Sequence, residues 1–475
     1  MKLRPASWLP VTGNQVFTFV TSGSRGWAQH YAQSGASFIR VGNLDHDTIA
    51  LDLNDVQCVQ PPVGAEGERT RLQAHDVLVS ITAEVGMVGL VPPGLGEAYI
   101  NQHIALARPV PGLEPRFLAW YLASEADGKR SLLSSSRGGT KSGLGLDDIR
   151  QVEIPLAPLA EQQRIADKLD AVVARVDACR DRLARVTPLL KRFRQSVLAA
   201  ATSGRLTTDW RDQDSEASPA VSARSPMVIH ADEQDALPSG WSWQQLVAIA
   251  RLESGHTPRK SVSAYWDGGD VPWISLQDIR AADGRVVTDT KFHPTQAGID
   301  NSSARFLPAG TVCFCRDISF GYVTIMGRSM ATSQHFANWV CTPQLLPEYL
   351  MYSFMAARQF LGMSGQGTTV TTIYMPALKQ LRLATPAIDE QAEIVRRVDS
   401  LFAFADRLEA RLAQAQTAVD RLTPSLLAKA FRGELVPQDP SDEPASELLS
   451  RLSATAPAVD GALKPRRRDA GGRSA

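Results

Sequence analysis

The chain has 475 residues, of which 44% are hydrophobic and 21% are charged. This composition excludes a disordered or fibrous protein, and the length suits about three domains. Because 50 basic residues balance 50 acidic residues, the net charge gives no sign of a nucleic-acid partner. A DNA-binding surface would have to arise from local clusters of basic side chains.

Targeting signals and cysteine patterns add little. The first residues lack an apolar signal core, and no run approaches the roughly 18 apolar residues that span a bilayer. We therefore expect a cytoplasmic protein with no membrane partner. The five cysteines form no CxxC pair, which argues against a disulfide framework and a metal site. Cys313 and Cys315 fit one face of a strand, where packing is favoured over metal binding.

Taken in chain order, two mixed α/β segments alternate with two helical segments. Apolar patterns predict strands at residues 37–41 and 76–81, and a helix at 115–123, in a first globular domain of residues 1–157. A helical segment, 158–206, and a polar linker, 207–236, follow. The second domain, 237–386, contains a predicted strand at 310–315 and a helix at 347–356. A second helical segment, 387–436, precedes a tail, 437–475, that we expect to be flexible.

An internal repeat organises this order. One constant shift aligns residues 161–206 with residues 390–435 without a gap. The preceding domains also correspond loosely, since residues 39–44 resemble 274–279, residues 72–79 resemble 307–314, and residues 101–103 resemble 333–335. Identical pairs in the helical copies include Glu161/Glu390, Gln162/Gln391, Ile165/Ile394, Asp170/Asp399 and Gly204/Gly433.

Both helical copies carry apolar residues that alternate spacings of four and three, which predicts coiled coils. We expect an α+β (mixed) fold with two globular α/β domains, two long antiparallel helical regions and a pseudo-twofold axis. A single-domain core helix or a zipper between two copies of the chain would show the same spacing. The seam residues are Ile165, Leu169, Val176, Leu183, Ile394, Val398, Leu401, Leu408 and Leu412.

Each helical copy contains a Thr-Pro pair, at Pro188 and Pro424. Proline interrupts a continuous helix, so each pair predicts a break with threonine as the cap and proline as the first residue of a new helix. Gly204 and Gly433 suit the left-handed residue that ends a helix.

Polar, glycine-bearing loops in both domains have the chemistry that DNA contacts require. Arginine pairs with guanine, glutamine pairs with adenine, and hydroxyl groups bind phosphates. Such loops are more often ordinary turns, and a buried structural role is favoured for the two histidines that follow Gln102 and Gln334. The candidate DNA-binding residues are Ser22, Ser24, Arg25, Trp27, Arg40, Asn43, Gln102, Arg137, Thr140, Lys141, Ser142, Thr257, Arg259, Lys260, Gln277, Arg316, Gln334, Thr368 and Thr369.

Catalytic and cofactor motifs are missing from the sequence. It contains no GxxxxGK[ST], no HExxH and no [DNS]PP[YFW] tetrapeptide, and residues 138–142 are only a near miss to a phosphate-binding loop. We therefore predict no catalytic residue, no metal site and no cofactor bound by this chain.

The order of two variable domains, each followed by a repeated helix, resembles the specificity (S) subunit of Type I restriction-modification enzymes over nearly the whole chain. The motifs that carry the resemblance are Gly23-Ser24-Arg25-Gly26-Trp27, Phe38-Ile39-Arg40-Val41-Gly42-Asn43-Leu44, Pro158-Leu159-Ala160-Glu161-Gln162-Gln163-Arg164-Ile165 and Pro386-Ala387-Ile388-Asp389-Glu390-Gln391-Ala392-Glu393-Ile394. The two prolines that open the helical copies differ by one position from perfect register.

The resemblance implies that each globular domain is a target-recognition domain for half of a bipartite, asymmetric DNA site. It also implies that the helices bind two methyltransferase (modification) subunits, which use S-adenosylmethionine, and that restriction subunits add ATP- and Mg²⁺-dependent translocation and cleavage. A specificity module of a related single-chain restriction-methylation system is one alternative. A coiled-coil adaptor without DNA binding is another, and a self-contained nuclease or methyltransferase is the least favoured.

Overall fold

The computed structural model describes residues 4–23, 25–61, 64–125, 127–135, 143–211, 225–229, 234–363 and 371–455. The chain forms two compact units, one of Met1–Ala184 with Gln414–Ala475 and the other of Arg185–Ala413. Each unit contains one globular domain. The predicted boundaries kept each helical copy whole, whereas the compact units divide both copies.

The strands, in chain order, are β1 (Leu9–Thr12), β2 (Phe17–Ser22), β3 (Tyr31–Ala32), β4 (Ala36–Ile39), β5 (Gln57–Val59), β6 (Val77–Ser80), β7 (Val88–Leu90), β8 (Ala98–Ile100), β9 (Ile104–Pro109), β10 (Glu153–Leu156), β11 (Met227–Val228), β12 (Ser242–Gln245), β13 (Ala250–Ser254), β14 (Trp273–Ile274), β15 (Val286–Val287), β16 (Val312–Cys315), β17 (Val323–Met326), β18 (Ala331–Thr332), β19 (Phe336–Cys341) and β20 (Arg382–Thr385).

The α-helices are α1 (Gly13–Val16), α2 (Ala65–Thr70), α3 (Pro115–Ala123), α4 (Gly128–Ser135), α5 (Leu146–Gln151), α6 (Leu159–Ala184), α7 (Val186–Thr202), α8 (Thr208–Arg211), α9 (Leu246–Ile249), α10 (Leu276–Ala281), α11 (Gln296–Asp300), α12 (Pro347–Met363), α13 (Met375–Gln380), α14 (Ile388–Asp420), α15 (Leu422–Ala430) and α16 (Ala445–Thr455). Among the described residues, no helix combines the length and the apolar character needed to cross a bilayer.

The two units share one sheet topology. In the first unit, the antiparallel order β2-β9-β6-β7 matches β13-β19-β16-β17 in the second unit. A parallel pair accompanies each sheet, β4 with β8 and β14 with β18. Helix α3 covers the first sheet and α12 covers the second, where the Phe354 ring stacks on Phe314 with centroids 4.5 Å apart. The mixed α/β prediction and the internal repeat are therefore confirmed.

Most predicted elements occur close to their expected positions. The predicted helix at 115–123 is α3, and the predicted helix at 347–356 is the first part of α12. The strands predicted at 37–41, 76–81 and 310–315 are β4, β6 and β16. Cys313 and Cys315 are both buried in one apolar cluster, as the packing interpretation predicted, and burial raises the pKa of Cys315 to about 11.

Each long helical copy is broken just before its Thr-Pro pair. Helix α6 ends at Ala184 and α14 ends at Asp420, each four residues before a proline. A proline nitrogen cannot donate to the carbonyl four residues back, and its ring collides with that carbonyl. The break was predicted correctly, but the cap was not, because Pro188 and Pro424 are the third residues of α7 and α15. Gly204 and Gly433 adopt the predicted left-handed conformation, with φ of 74° and 73°.

Within each unit the helical segments run antiparallel. In the second unit, Arg194 of α7 pairs with Asp406 of α14 at 2.7 Å, and Asp209, which follows α7, pairs with Arg397, earlier in α14, at 2.5 Å. In the first unit, Arg180 of α6 pairs with Asp420 at 3.4 Å. The seam residues Ile165, Leu169, Val176, Ile394, Val398 and Leu412 are buried, and Leu183, Leu401 and Leu408 are half-buried.

Residues that are identical in the two copies of the repeat anchor each long helix to its own domain. Glu161 and Glu390 are only 1% and 3% exposed. Trp8 donates its indole N–H to Glu161 at 2.9 Å, and Trp241 donates to Glu390 at 3.0 Å. The charged carboxylates accept strong hydrogen bonds there, which fix the first turn of the helix.

The neighbouring glutamine and aspartate add to this anchor. Gln162 donates to the Ala157 carbonyl at 2.7 Å, and Gln391 donates to the Pro386 carbonyl at 3.0 Å. About two turns later, Asp170 accepts from the Trp120 indole at 2.8 Å, and Asp399 accepts from the Tyr352 hydroxyl. The Glu-Gln motif therefore has a structural role.

The two anchors differ in charge. Arg211 pairs with Glu390, which also accepts from the Thr207 hydroxyl at 2.7 Å. In the first unit, the neutral Gln438 side chain takes the corresponding place and donates to Glu161. Burial raises the pKa of Glu161 above its ordinary value, because the negative charge has lost its water, and the hydrogen bonds from Trp8 and Gln438 and the charge of Arg164 offset only part of that loss.

This asymmetry gives a pH-dependent prediction. A raised pKa means that the folded chain holds the Glu161 proton more tightly than the unfolded chain does. Ionisation therefore costs stability as the pH rises through the unfolded and then the folded pKa. Glu161→Gln cannot ionise, so its free energy of unfolding relative to wild type should rise as the pH increases from about 4, near the ordinary pKa of a glutamate. Chemical denaturation of both proteins at a series of pH values measures this difference in the free energy of unfolding.

Glu390→Gln is the matched control. Its carboxylate is paired with Arg211, so removing the charge at pH 7 should destabilise the second unit by about 2 kcal/mol. If the stability of Glu161→Gln relative to wild type stays constant or falls as the pH rises, burial does not raise the pKa of Glu161 in the way described.

The predicted flexible tail is wrong for residues 437–455. Helix α16 places Ala445, Leu448 and Leu452 in the core of the first unit, and Arg164 pairs with Asp442 at 2.6 Å. The spacing of those apolar residues was visible in the sequence. The predicted linker also contributes to the second unit, because Met227 in β11 pairs with Leu383.

Candidate nucleic-acid interface

One edge of each sheet gathers the loops that carry the predicted DNA-binding residues. Strands β2 and β6 end where their common neighbour β9 begins, so Ser22 lies opposite Ala105 and Ser80 lies opposite Ile104. Strands β13, β16 and β19 repeat this arrangement in the second unit. We call these surfaces the loop edges. They comprise residues 22, 23, 25, 81–86 and 101–103 in the first unit, and residues 254–260, 316–321 and 333–335 in the second.

The parallel strand pairs bring further candidates to the same edges. Strand β4 leads to Arg40 and strand β8 leads to Asn101, whose N–H donates to the Ile39 carbonyl at 3.2 Å. In the second unit, the Ser333 N–H donates to the Ile274 carbonyl at 3.2 Å. These hydrogen bonds place the segment of Gln102 beside the segment of Arg40. They also place the segment of Gln334 beside the start of α10, which carries Gln277.

Two glycines allow the loops to cross. A Cβ on Gly23 would lie 2.2 Å from the Asn101 carbonyl oxygen, and a Cβ on Gly255 would lie 2.3 Å from the Ser333 carbonyl oxygen. No real side chain fits at these distances. We call residues 101–103 and 333–335 the Gln-His segments. The loop that follows β2 or β13 therefore touches the Gln-His segment of its own unit through the backbone.

The sequence-matched histidines connect the Gln-His segments to the loops that follow β6 and β16. His103 Nδ1 lies 2.5 Å from the Thr82 hydroxyl, and His335 Nδ1 lies 2.8 Å from the Asp317 carboxylate. Both histidines are half-buried. The buried structural role that the sequence favoured agrees with these contacts, while the adjacent Gln334 stays exposed.

The described residues that follow the candidate segments 137–142 and 368–369 contact the same edges. The Leu144 N–H donates to the Ile81 carbonyl at 2.9 Å, and the Ile373 N–H donates to the Arg316 carbonyl at 3.0 Å. These contacts hold the chain just after each segment against the loop that follows β6 or β16. Seven candidates lie outside the described residues: Ser24, Arg137, Thr140, Lys141, Ser142, Thr368 and Thr369.

The remaining candidates divide by exposure. Arg25, Arg259, Lys260, Gln277 and Gln334 are exposed, and Ser22, Arg40, Gln102, Thr257 and Arg316 are half-buried. Some are already engaged within the protein. Arg316 donates to the Gln334 carbonyl at 3.1 Å, and Thr257 donates to the Gln334 side chain. The structure thus brings predicted residues from distant parts of each domain to one edge.

Two candidates are wrong. Trp27 is 3% exposed, and its ring stacks on Phe38 with centroids 5.2 Å apart, so it cannot stack on a base. Asn43 is 4% exposed, and its amide donates to the Asp52 and Asp55 carbonyls at 2.9 and 3.0 Å. A buried amide satisfied by backbone groups has no capacity left for DNA.

Sequence reasoning missed other residues at these edges. Arg69 is exposed and donates to the Ser22 carbonyl at 2.9 Å, which adds a cation to the first loop edge. In the second unit, Ile318 and Tyr374 are exposed at 55% and 54%. Neither position stood out in the sequence, because exposure in a loop leaves no periodic pattern. Over the described ranges, no group of three or more His, Cys, Asp or Glu side chains is placed to hold a metal ion.

Comparison with known proteins identifies the family. The family model described as the Type I restriction modification DNA specificity domain matches residues 64–187 and 238–416. This chain belongs to that family. The resemblance inferred from the repeated helices is therefore confirmed, and the chain is a Type I specificity subunit by sequence.

Curated relatives cover most of the chain. The StySPI specificity subunit of Salmonella potsdam is 29% identical over 482 aligned residues, which span 98% of this chain and 99% of the relative. The EcoDI specificity subunit of Escherichia coli is 27% identical over 76% of this chain and 79% of its own length.

Solved structures share the specificity-subunit fold. The HsdS subunit of Thermoanaerobacter tengcongensis superposes with a TM-score of 0.60 at 19% identity, over 91% of this chain and 98% of that one. A structure described as concerning complex assembly and conformational transition of the type I R-M system gives a TM-score of 0.68 at 20% identity, over 91% of this chain and 100% of that one. At these identities the likeness bears on the fold alone.

Proposed function

We propose that this chain is a non-catalytic, DNA-reading subunit and that each loop edge binds one half of a bipartite DNA site. The observation that carries the proposal is the matched construction of the two edges. Each has a glycine crossing, a Gln-His segment and a loop after β6 or β16 in the same topological positions. A duplicated reader of this kind suits two half-sites separated by an unread gap.

The side chains at matched positions differ, which favours an asymmetric site. Ile81 at the first edge corresponds to Arg316 at the second, and Thr82 corresponds to Asp317. Arginine prefers guanine, whereas a carboxylate accepts from cytosine. Gln102 and Gln334 are the exception, since both edges keep a glutamine at the same place.

The long helices would set the spacing and bind two methyltransferase subunits. Apolar side chains are exposed on the helical segments, with Leu189, Phe404 and Leu422 at 55%, 47% and 45%. These side chains suit contacts with further helices. The partners would supply S-adenosylmethionine-dependent adenine methylation in the cytoplasm, and restriction subunits would supply ATP- and Mg²⁺-dependent cleavage.

The test is to co-express this chain with its methyltransferase partner in a methylation-free host and to map modified adenines across the genome. We expect one two-part motif with a fixed gap, present only when both chains are produced. Gln102→Ala should relax one half of the motif and Gln334→Ala the other, each by about 1–3 kcal/mol of base discrimination.

Two outcomes would redirect the proposal. Methylation by a partner that forms part of a single-chain restriction-methylation enzyme would support the related alternative system. A stable complex that methylates nothing and retains no duplex would support the adaptor alternative.

A further inference from the structure

The loop between β16 and β17, residues 316–321, is a tight hydrogen-bonded turn. The Gly321 N–H donates to the Cys315 carbonyl at 2.9 Å, and the Tyr322 N–H donates to the Ser319 carbonyl at 3.2 Å. Gly321 has a φ of 82°, which permits the chain to reverse within this short span. The backbone of the loop is therefore closely constrained.

Side chains from two other elements fix the tip of this loop. His335 Nδ1 contacts the Asp317 carboxylate at 2.8 and 2.9 Å. On the other side, Arg280 of α10 donates to the Ser319 hydroxyl at 2.7 Å, and Ser319 is 4% exposed. Ile318 lies between these two fixed residues, so its position is defined although its side chain points into solvent.

Ile318 is an apolar side chain among polar readers. It is 55% exposed, and Arg316, two residues before it, donates to the Gln334 carbonyl at 3.1 Å. Single exposed apolar residues are common on protein surfaces, but this one is held rigidly at the edge that we assign to DNA. The apolar feature that the major groove offers is the C5-methyl group of thymine.

We propose that Ile318 reads a thymine methyl group in the half-site bound by the second unit. This inference rests on the proposed function of the loop edges. The matched position in the first unit is Ala83, a shorter side chain on a left-handed residue with φ of 63°. The thymine contact therefore belongs to one half-site, and it adds a specificity element that hydrogen-bond donors and acceptors do not supply.

Uracil tests the contact directly, because replacing thymine by uracil removes the methyl group and leaves base pairing unchanged. The complex of this chain with its methyltransferase partner is titrated with duplexes that carry the mapped motif. Each thymine of the motif is replaced by uracil in turn. We expect one position, in the half relaxed by Gln334→Ala, where uracil weakens binding about fourfold, as for the loss of one buried methyl group.

The complex that carries Ile318→Ala should bind the duplexes with thymine and with uracil at that position equally. Val247→Ala is the matched control, because Val247 is an exposed aliphatic residue just before β13, at the far end of that strand from Gly255. It should keep the wild-type sensitivity. Equal thermal unfolding of the three proteins would show that the fold is unchanged.

Three results would overturn the inference. The first is that no replacement of thymine by uracil weakens binding in the half of the motif that Gln334→Ala relaxes. The second is an Ile318→Ala complex that remains as sensitive as wild type. The third is an Ile318→Ala complex that binds both duplexes equally weakly, which would indicate a wedge between base steps instead of methyl recognition. Failure of the proposed function is distinct, since wild-type complex would then retain no motif-bearing duplex at all.

Discussion

Gly23→Ala is expected to abolish recognition by the first loop edge and to destabilise the first unit by about 3 kcal/mol or more. The new Cβ would lie 2.2 Å from the Asn101 oxygen and 2.4 Å from the Ile100 oxygen. Both are backbone atoms, one in the last residue of β8 and one in the residue that follows it, so relief requires the two segments to separate. Thermal unfolding measures the loss of stability, and methylation mapping should show one half of the motif degraded.

Gly42→Ala is the control for this substitution. Gly42 follows β4 near the same edge, but an added Cβ there meets nothing within 4 Å. Its effect should stay within about 0.5 kcal/mol. Similar losses from both variants would mean that any added side chain disturbs the edge, and the crossing explanation would be wrong.

Truncation after Val436 is expected to unfold the first unit while the second unit stays folded. The deletion removes the buried Leu448 and Leu452 of α16 and leaves Glu161 without the hydrogen bond from Gln438. Losing two buried leucine side chains alone costs about 5 kcal/mol or more. Hydrogen exchange should show lost protection in α3 and the start of α6, with protection retained in β16.

Truncation after Thr455 is the matched control. It keeps α16, Gln438 and the ion pair between Arg164 and Asp442. Hydrogen exchange in α3 and α6 should then match that of the full chain. Protection that survives truncation after Val436 would contradict the role assigned to α16.

The repeat carried most of the predictive power of the sequence. Heptad spacing and the duplicated Glu-Gln motif predicted two helices and two similar domains, and both predictions are confirmed. The position of the helix breaks followed from proline chemistry, but the cap did not. The carbonyl four residues before each proline determines where the preceding helix ends, so Ala184 and Asp420 end α6 and α14.

The site was harder to predict than the fold. Residue type identified Gln102 and Gln334 at matched positions, and topology then placed them at equivalent edges. Residue type misled at Trp27 and Asn43, because burial depends on partners such as Phe38 and Asp52 that are remote along the chain. It also overlooked Ile318, whose exposure follows from the turn that Gly321 permits.

The division of the helices between the units has a consequence for synthesis on the ribosome. Residues 185–413 form one uninterrupted unit, whereas the first unit needs residues 414–455 as well. Domains usually fold in the order in which they are made. Here the synthesis of the second unit is complete before that of the first. In the first unit, Phe117 and Tyr121 cannot pack against Phe431 until that residue has been made. The nascent chain is therefore expected to expose this apolar surface until translation is nearly complete.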